Sequence, residues 1–230
     1  MMDSLSQIPL FQGVDDATIE RQSMRCAWRS YEENELIIDY EDDSRDVRFI
    51  IDGKVRIILR IATGKEVILT EMREGEFFGE IAAIDEEGRS ANVTALNRTR
   101  ICAMPQSVFI EMVETQPSVN RAVMKTLATR CRNLNSRLAE HCFLQTKHRL
   151  YTELLRLSRP RLGHEGQRSI SPPPTQKDLA SRIGTRREVV SREIANLKRN
   201  RIVDKTTGAL VLCDLPKLNA LISAGWAEAE

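Results

Sequence analysis

The residues with the most chemistry in the first half of the chain fall in one short stretch. It reads Gly75-Glu76-Phe77-Phe78-Gly79-Glu80-Ile81-Ala82-Ala83-Ile84 and continues, after three intervening residues, with Gly88-Arg89-Ser90-Ala91. Arg89 offers a bidentate fork for a phosphate. Ser90 adds a hydroxyl, and Ala91 a side chain small enough for an anion to approach the backbone. Gly79 opens a short apolar segment that can make one helical turn, and free N–H groups at a helix start favour an anion. Glu80 can accept hydrogen bonds from a sugar hydroxyl. Together these groups suit a compact sugar phosphate. An ion pair between Glu80 and Arg89 that merely closes a loop fits the same residues equally well.

A second group lies near the other end of the chain: Arg186, Arg187, Glu188 and Arg192, with Lys198, Arg199 and Arg201 nearby. Arginine reads guanine O6 and N7 with two bonds, and a carboxylate accepts from cytosine N4. The stretch before them has helix-turn-helix spacing. Thr175 caps a helix with Asp178 three residues on. Ala180 is small where two helices touch, Gly184 takes the turn, and Val190, Ile194 and Leu197 bury the second helix. Ile202-Val203 and Leu210-Val211-Leu212, around Thr206-Thr207-Gly208, predict a β-hairpin wing. A helical hairpin without function accounts for the spacing, but not for one acid among arginines at a helix start.

Charge separates the two groups. Residues 1–116 carry 13 Lys and Arg against 23 Asp and Glu, a net of −10. Residues 117–230 carry 21 against 10, a net of +11. The near-neutral total thus hides an electrostatic case for nucleic acid in the second half alone.

The phosphate candidates sit among short strands rich in Val and Ile: Glu35 to Asp39, Val47 to Ile51, Val55 to Ile61, Val67 to Met72, Ala91 to Ala95 and Arg100 to Met104. Asp52-Gly53, Thr63-Gly64-Lys65 and Glu74-Gly75-Glu76 mark turns between them. This spacing predicts an antiparallel jelly-roll barrel over roughly 20–105. Ahead of it, Ile8-Pro9-Leu10-Phe11 and Asp15-Asp16-Ala17-Thr18 predict a short docked helix.

Between the halves, Ser118 to Arg159 holds no Gly or Pro and is flanked by Pro117 and Pro160. It predicts a coiled coil or two helices end to end. Leu127, Cys131, Leu134, Leu138 and His141 or Cys142 alternate in steps of four and three, the seam of a two-stranded coiled coil. Arg130, Arg132, Arg137 and Glu140 flank it. A core helix within one chain is the alternative. Ser158 to Pro174 is a Pro- and Gly-rich connection with one strand at Arg168 to Ser171.

The cassette Gly79-Glu80-Ile81-Ala82 with Arg89-Ser90-Ala91, and the preceding Ile51-Asp52-Gly53-Lys54-Val55, resemble the cyclic-nucleotide-binding domain of the CRP/FNR family of bacterial regulators. Arg187-Glu188-Val189-Val190-Ser191-Arg192 resembles that family's recognition helix, in its cyclic-AMP-receptor branch. The resemblance implies an α+β chain in three parts. These are a cyclic-nucleotide-binding barrel over 1–116, a dimerisation helix and hinge over 117–145, and a winged helix-turn-helix over 146–230.

It further implies that Glu80 binds the ribose 2′-OH and Arg89 the cyclic phosphate, with Gly79, Ile81, Ser90 and Ala91 completing the site. Arg187, Glu188 and Arg192 are then base readers, and Arg186, Ser191 and Lys198 further DNA contacts. The expected effector is cyclic AMP or cyclic GMP, with no other cofactor. The expected partners are double-stranded DNA, a second copy of the chain and RNA polymerase. Phe143 to Lys147 is the expected hinge.

One departure concerns the base. Where the cyclic-AMP receptors place a Thr-Ser pair, this chain has Leu134 and Asn135. Asn135 can serve either purine, since its amide both accepts and donates.

Other classes fit less well. All three His (His141, His148, His164) lie outside the barrel, no H-E-x-x-H occurs, and Gly64-Lys65 lacks the glycine a P-loop needs where Leu59 stands. A cupin-type metal enzyme is therefore disfavoured. Only Cys26 lies near the N-terminus, which disfavours an iron–sulfur sensor. His141, Cys142 and His148 leave a haem-sensing regulator open. Five scattered Cys without C-x-x-C fit reduced thiols. No basic-then-apolar leader and no run of about 18 apolar residues are present, so the expected location is the cytoplasm, without membrane contact.

Overall fold

The computed structural model describes residues 4–60 and 66–228. Ile61 and the Thr63-Gly64-Lys65 turn lie outside the described residues. The chain forms two compact units, divided between Cys131 and Arg132.

The first unit opens with two 3-10 turns, Leu5–Gln7 and Pro9–Phe11, and helix α1 (Asp16–Ser23). Asp15 caps α1 by accepting the Thr18 N–H at 2.9 Å. Then follow β1 (Ala27–Tyr31), β2 (Leu36–Ile38), β3 (Val47–Asp52), β4 (Lys54–Arg60), β5 (Glu66–Arg73), β6 (Phe77–Phe78), α2 (Glu80–Asp85), β7 (Asn92–Ala95) and β8 (Thr99–Met104). Two antiparallel four-stranded sheets, ordered β1-β8-β3-β6 and β2-β7-β4-β5, make the eight-stranded jelly roll. β1 and β6 were not anticipated, because β1 is largely exposed and β6 has only two residues.

Strand β3 explains the packing. Alternate residues of a strand face opposite sides. Val47 and Phe49 join Leu5, Phe11, Phe77 and Phe109 in a core outside the barrel, whereas Ile50 joins Ile37, Ile38, Phe78, Val93 and Ile101 inside it. Phe109 belongs to α3 (Gln106–Thr115), and α4 (Pro117–Phe143) follows. Leu127 of α4 packs against the outer core.

The second unit takes the end of α4, α5 (Thr146–Leu157), β9 (Arg159–Pro160), β10 (Arg168–Ile170), α6 (Gln176–Ile183), α7 (Arg187–Arg199), β11 (Val203–Lys205), β12 (Leu210–Leu212) and α8 (Leu215–Ala227). The long Gly- and Pro-free run is therefore two helices, parted at the buried Leu144 and at Gln145. Strand order β11-β12-β10-β9 makes the wing sheet. Thr175 caps α6 by accepting the Asp178 N–H at 3.0 Å, and Gly184 ends it at φ 65°. Val190 and Leu197 bury α7 on Leu150, Leu154, Leu179 and Ile183. α8 escaped the sequence reading, although Asp214, accepting from the Lys217 N–H at 2.9 Å, and Pro216 mark its start.

Candidate ligand site and nucleic-acid interface

In the barrel, Gly79 stands in the left-handed region at φ 84° as the residue before α2. A Cβ there would lie 2.7 Å from Arg89 Nη1 and 2.9 Å from the Asp46 carbonyl, so both conformation and space require glycine. Arg89 is 3% exposed. Its Nη1 donates to the Gly79 carbonyl at 3.2 Å, and its Nη2 to Ser44 Oγ at 2.8 Å and the Asp46 carbonyl at 3.0 Å. These acceptors are all neutral. Among the described residues no carboxylate lies within 4.0 Å of the guanidinium, and its buried Nε–H has no acceptor. Burial, and then repulsion from Arg48, lower its pKa.

Ser44 is itself held. Its hydroxyl donates to Asp42 at 3.0 Å and its N–H to the same carboxylate at 2.8 Å. The Ser44 bonds hold the Asp42 carboxyl below its ordinary range, and Arg48 and Arg89 add to this.

Glu80, 2% exposed, does not pair with Arg89. Its Oε1 instead accepts from Arg130 of α4 at 2.5 Å. Arg130 also donates to the Phe77 carbonyl at 2.5 Å and stacks over the Phe77 ring at 5.0 Å. The loop-closing Glu80–Arg89 pair that fitted the sequence is thus not formed, and α4 supplies Glu80's cation. Arg130 was legible only as a flanking charge. The signal that points to it is one helical turn of spacing before Leu134, opposite an acid in need of a partner. Ala91 is buried, while Ile81 and Ser90 are exposed. Leu134 and Asn135 lie beyond the division of the chain, both exposed, Leu134 at 56%.

In the second unit the recognition candidates share the open side of α7. Arg186 precedes the helix, and Arg187, Glu188, Arg192 and Lys198 are exposed, with Ser191 half-buried. Among the described residues none of these six side chains has a hydrogen-bond or ionic partner, so their donors and acceptors are open. A cleft of about 550 Å³ borders them, lined by Gln145, Thr146 and Lys147 at the start of α5, Thr185 in the turn, and Arg192. It adds the exposed Lys147 to the basic face, a residue whose role in that face the sequence did not reveal.

The three residues named as haem-ligand candidates lie in the second unit. His148 is buried 5.8 Å from the Tyr151 ring, His141 stands beside Gly184, and Cys142 is exposed. No described helix is long and apolar enough to cross a membrane.

Known families match both parts of the chain. The family described as the cyclic nucleotide-binding domain matches residues 28–116, and the Crp-like helix-turn-helix domain matches 148–221. The CRP-like cAMP-activated global transcriptional regulator of Mycobacterium tuberculosis (strain H37Rv) is 24% identical over 220 residues, covering 95% of this chain and 98% of its own. The cyclic AMP receptor protein of Thermus thermophilus is 28% identical over 195 residues, 85% of this chain and 88% of its own. Among solved structures, the c-di-GMP responsive global regulator CLP of Xanthomonas campestris superposes with a TM-score of 0.74 at 21% identity. It covers 86% of this chain and 99% of that one.

Proposed function

We propose, for a chain that belongs to the CRP/FNR family of transcription regulators, that cyclic AMP or cyclic GMP in the barrel controls DNA binding by a homodimer. The observation that carries the effector is Arg89: a guanidinium buried among neutral acceptors, with its Nε–H unused. Burying an unpaired charge is costly, and an anion at that point removes the cost. The cyclic phosphate supplies the anion, Ser90 adds a hydroxyl, and the second oxygen of Glu80 receives the ribose hydroxyl.

Dimerisation is supported by an unpartnered stripe on α4. Met124 (59% exposed), Cys131, Leu134 and Leu138 (63%) recur at seam spacing. A dimer presents two copies of α7, matching a pseudo-palindrome with half-sites about 34 Å apart. Ligand works as a switch only by binding the DNA-competent state more tightly.

Asn135 lends itself to either base, so cyclic AMP and cyclic GMP are expected to bind within about tenfold, about 1.4 kcal/mol. Calorimetric titration of both nucleotides into the wild type and into Leu134→Thr/Asn135→Ser tests this. A hundredfold preference in the wild type, or a ratio untouched by the double change, removes the assignment of Asn135. Sedimentation of Leu134→Glu, with and without nucleotide, tests the seam. A charge there is desolvated without a partner, so the dimer or its response should be lost.

A further inference from the structure

The barrel holds a second buried arginine that the cassette does not include. Arg48 of β3 is 9% exposed. Its Cα pairs with that of Phe78, the residue before Gly79, and it lies two residues from Ile50 on the same side of the strand. Ile50 and Phe78 both belong to the core between the sheets, so Arg48 enters the barrel interior beside the cassette. Its guanidinium donates to the Ile37 carbonyl of β2. Its Nε–H is buried without an acceptor, as in Arg89, and no described carboxylate lies within 4.0 Å of it.

Two like charges therefore share one buried region. Arg48 opposes the charge of Arg89, while Asp42, Asp46 and Glu80 favour it without any of them coming within 4.0 Å; Asp42 feels both guanidiniums, but its carboxyl is already bound to Ser44. A staple from β3 to the Ile37 carbonyl needs one neutral donor and no charge. Keeping two guanidiniums together, each with an idle donor, is costly in desolvation and repulsion. The arrangement is accounted for when an anion sits between them.

We propose that Arg48 is a second phosphate-binding guanidinium of the barrel site, taking one non-bridging oxygen of the cyclic phosphate while Arg89 takes the other. This rests on reading the barrel as a cyclic-nucleotide site. It extends the anion-binding residues from the loop after α2 to strand β3.

The test measures Kd for cyclic AMP and for its two phosphorothioate diastereomers, in which sulfur replaces one or the other non-bridging oxygen. The proteins are the full-length wild type, Arg48→Gln, Arg48→Lys and Arg89→Gln. Arg48→Gln should weaken cyclic AMP tenfold or more, and Arg48→Lys should recover much of the loss. The preference between diastereomers should move at least threefold in opposite directions for Arg48→Gln and Arg89→Gln. A purely structural arginine moves all three affinities together. Uniform weakening, or no change, overturns the proposal.

If the wild type binds no cyclic nucleotide, the reading of the site fails by itself. Thermal shift with inorganic phosphate then decides Arg48. A rise in Tm that Arg48→Gln abolishes supports it as an anion ligand, and a rise it leaves intact, or no rise, overturns it.

Discussion

Glu153 in the second unit and Arg89 in the first are both buried charges, at 1% and 3% exposure, with opposite surroundings. Glu153 of α5 is met by Arg137 of α4 at 3.3 Å, Arg182 of α6 at 3.6 Å, and Arg156, which also pairs with Glu140. Arg89 meets two carbonyls and a hydroxyl and no carboxylate. One charge is neutralised within the chain and ties the end of α4 to α5 and α6. The other is held in place by neutral acceptors with no described carboxylate in contact, which is the ground for proposing an anion there. Burial of a charge is thus not by itself a sign of a ligand site; what separates the two is whether the chain supplies the counter-ion.

The largest test of that contrast is Glu153→Gln. It leaves three guanidiniums around a neutral side chain, and breaking such a pair is expected to cost about 3 kcal/mol of the second unit's stability in denaturant unfolding. Arg89→Gln should do the reverse. Removing an uncompensated buried cation should leave ligand-free stability level or raised, while cyclic-nucleotide affinity falls about a hundredfold, about 2.7 kcal/mol. If Arg89→Gln destabilises the free protein as much as Glu153→Gln does, the two sites are alike and the contrast is wrong.

On the exposed face of α7 every candidate charge is left open, so base readers and phosphate anchors are told apart by their effect on binding. Arg187→Ala, Glu188→Ala and Arg192→Ala should each lose about 1–3 kcal/mol of discrimination at one or two symmetric positions. Lys198→Ala should weaken all sequences alike and flatten the salt slope by about one. Competition binding against a panel of single-base variants measures both. A uniform loss for Arg187→Ala would reassign it to a phosphate.

The smallest effect is that of pH. All three His belong to the second unit, and burial holds His141 and His148 below their ordinary pKa. The unfolded chain therefore takes up those protons first. This stability is fully present above about pH 6.5 and declines as pH falls below it. In the first unit the depressed carboxyl in the ligand region is that of Asp42, held down by the Ser44 bonds. Its contribution is present above about pH 3.9 and is lost only as pH falls through its lower folded value. Acidification from pH 7 to 5.5 should lower the Tm of the second unit and spare the first. The order of the two unfolding steps in calorimetry checks it.

Much of this was legible in the residues alone. Alternating Val and Ile between turns fixed a barrel, because a strand with one face in a core repeats every two residues. The Thr175 cap, Gly184 and Val190 fixed the helix-turn-helix, and the excess of arginine around α7 marked its open face. Spacings of this kind are local, and local spacing survives in sequence. The counter-ions did not. Glu80 and Arg89 are nine residues apart and read naturally as a pair, yet Glu80 takes its cation from Arg130, fifty residues away, and Arg89 is aimed by Ser44. Arg48 reads as one more charge in a strand until the register of β3 against β6 turns it inward. Which charges meet depends on how distant segments close on one another, and the energy of a charge depends on burial. Sequence supplied the groups and the elements that carry them; only the packed barrel decided which charge was left without a partner.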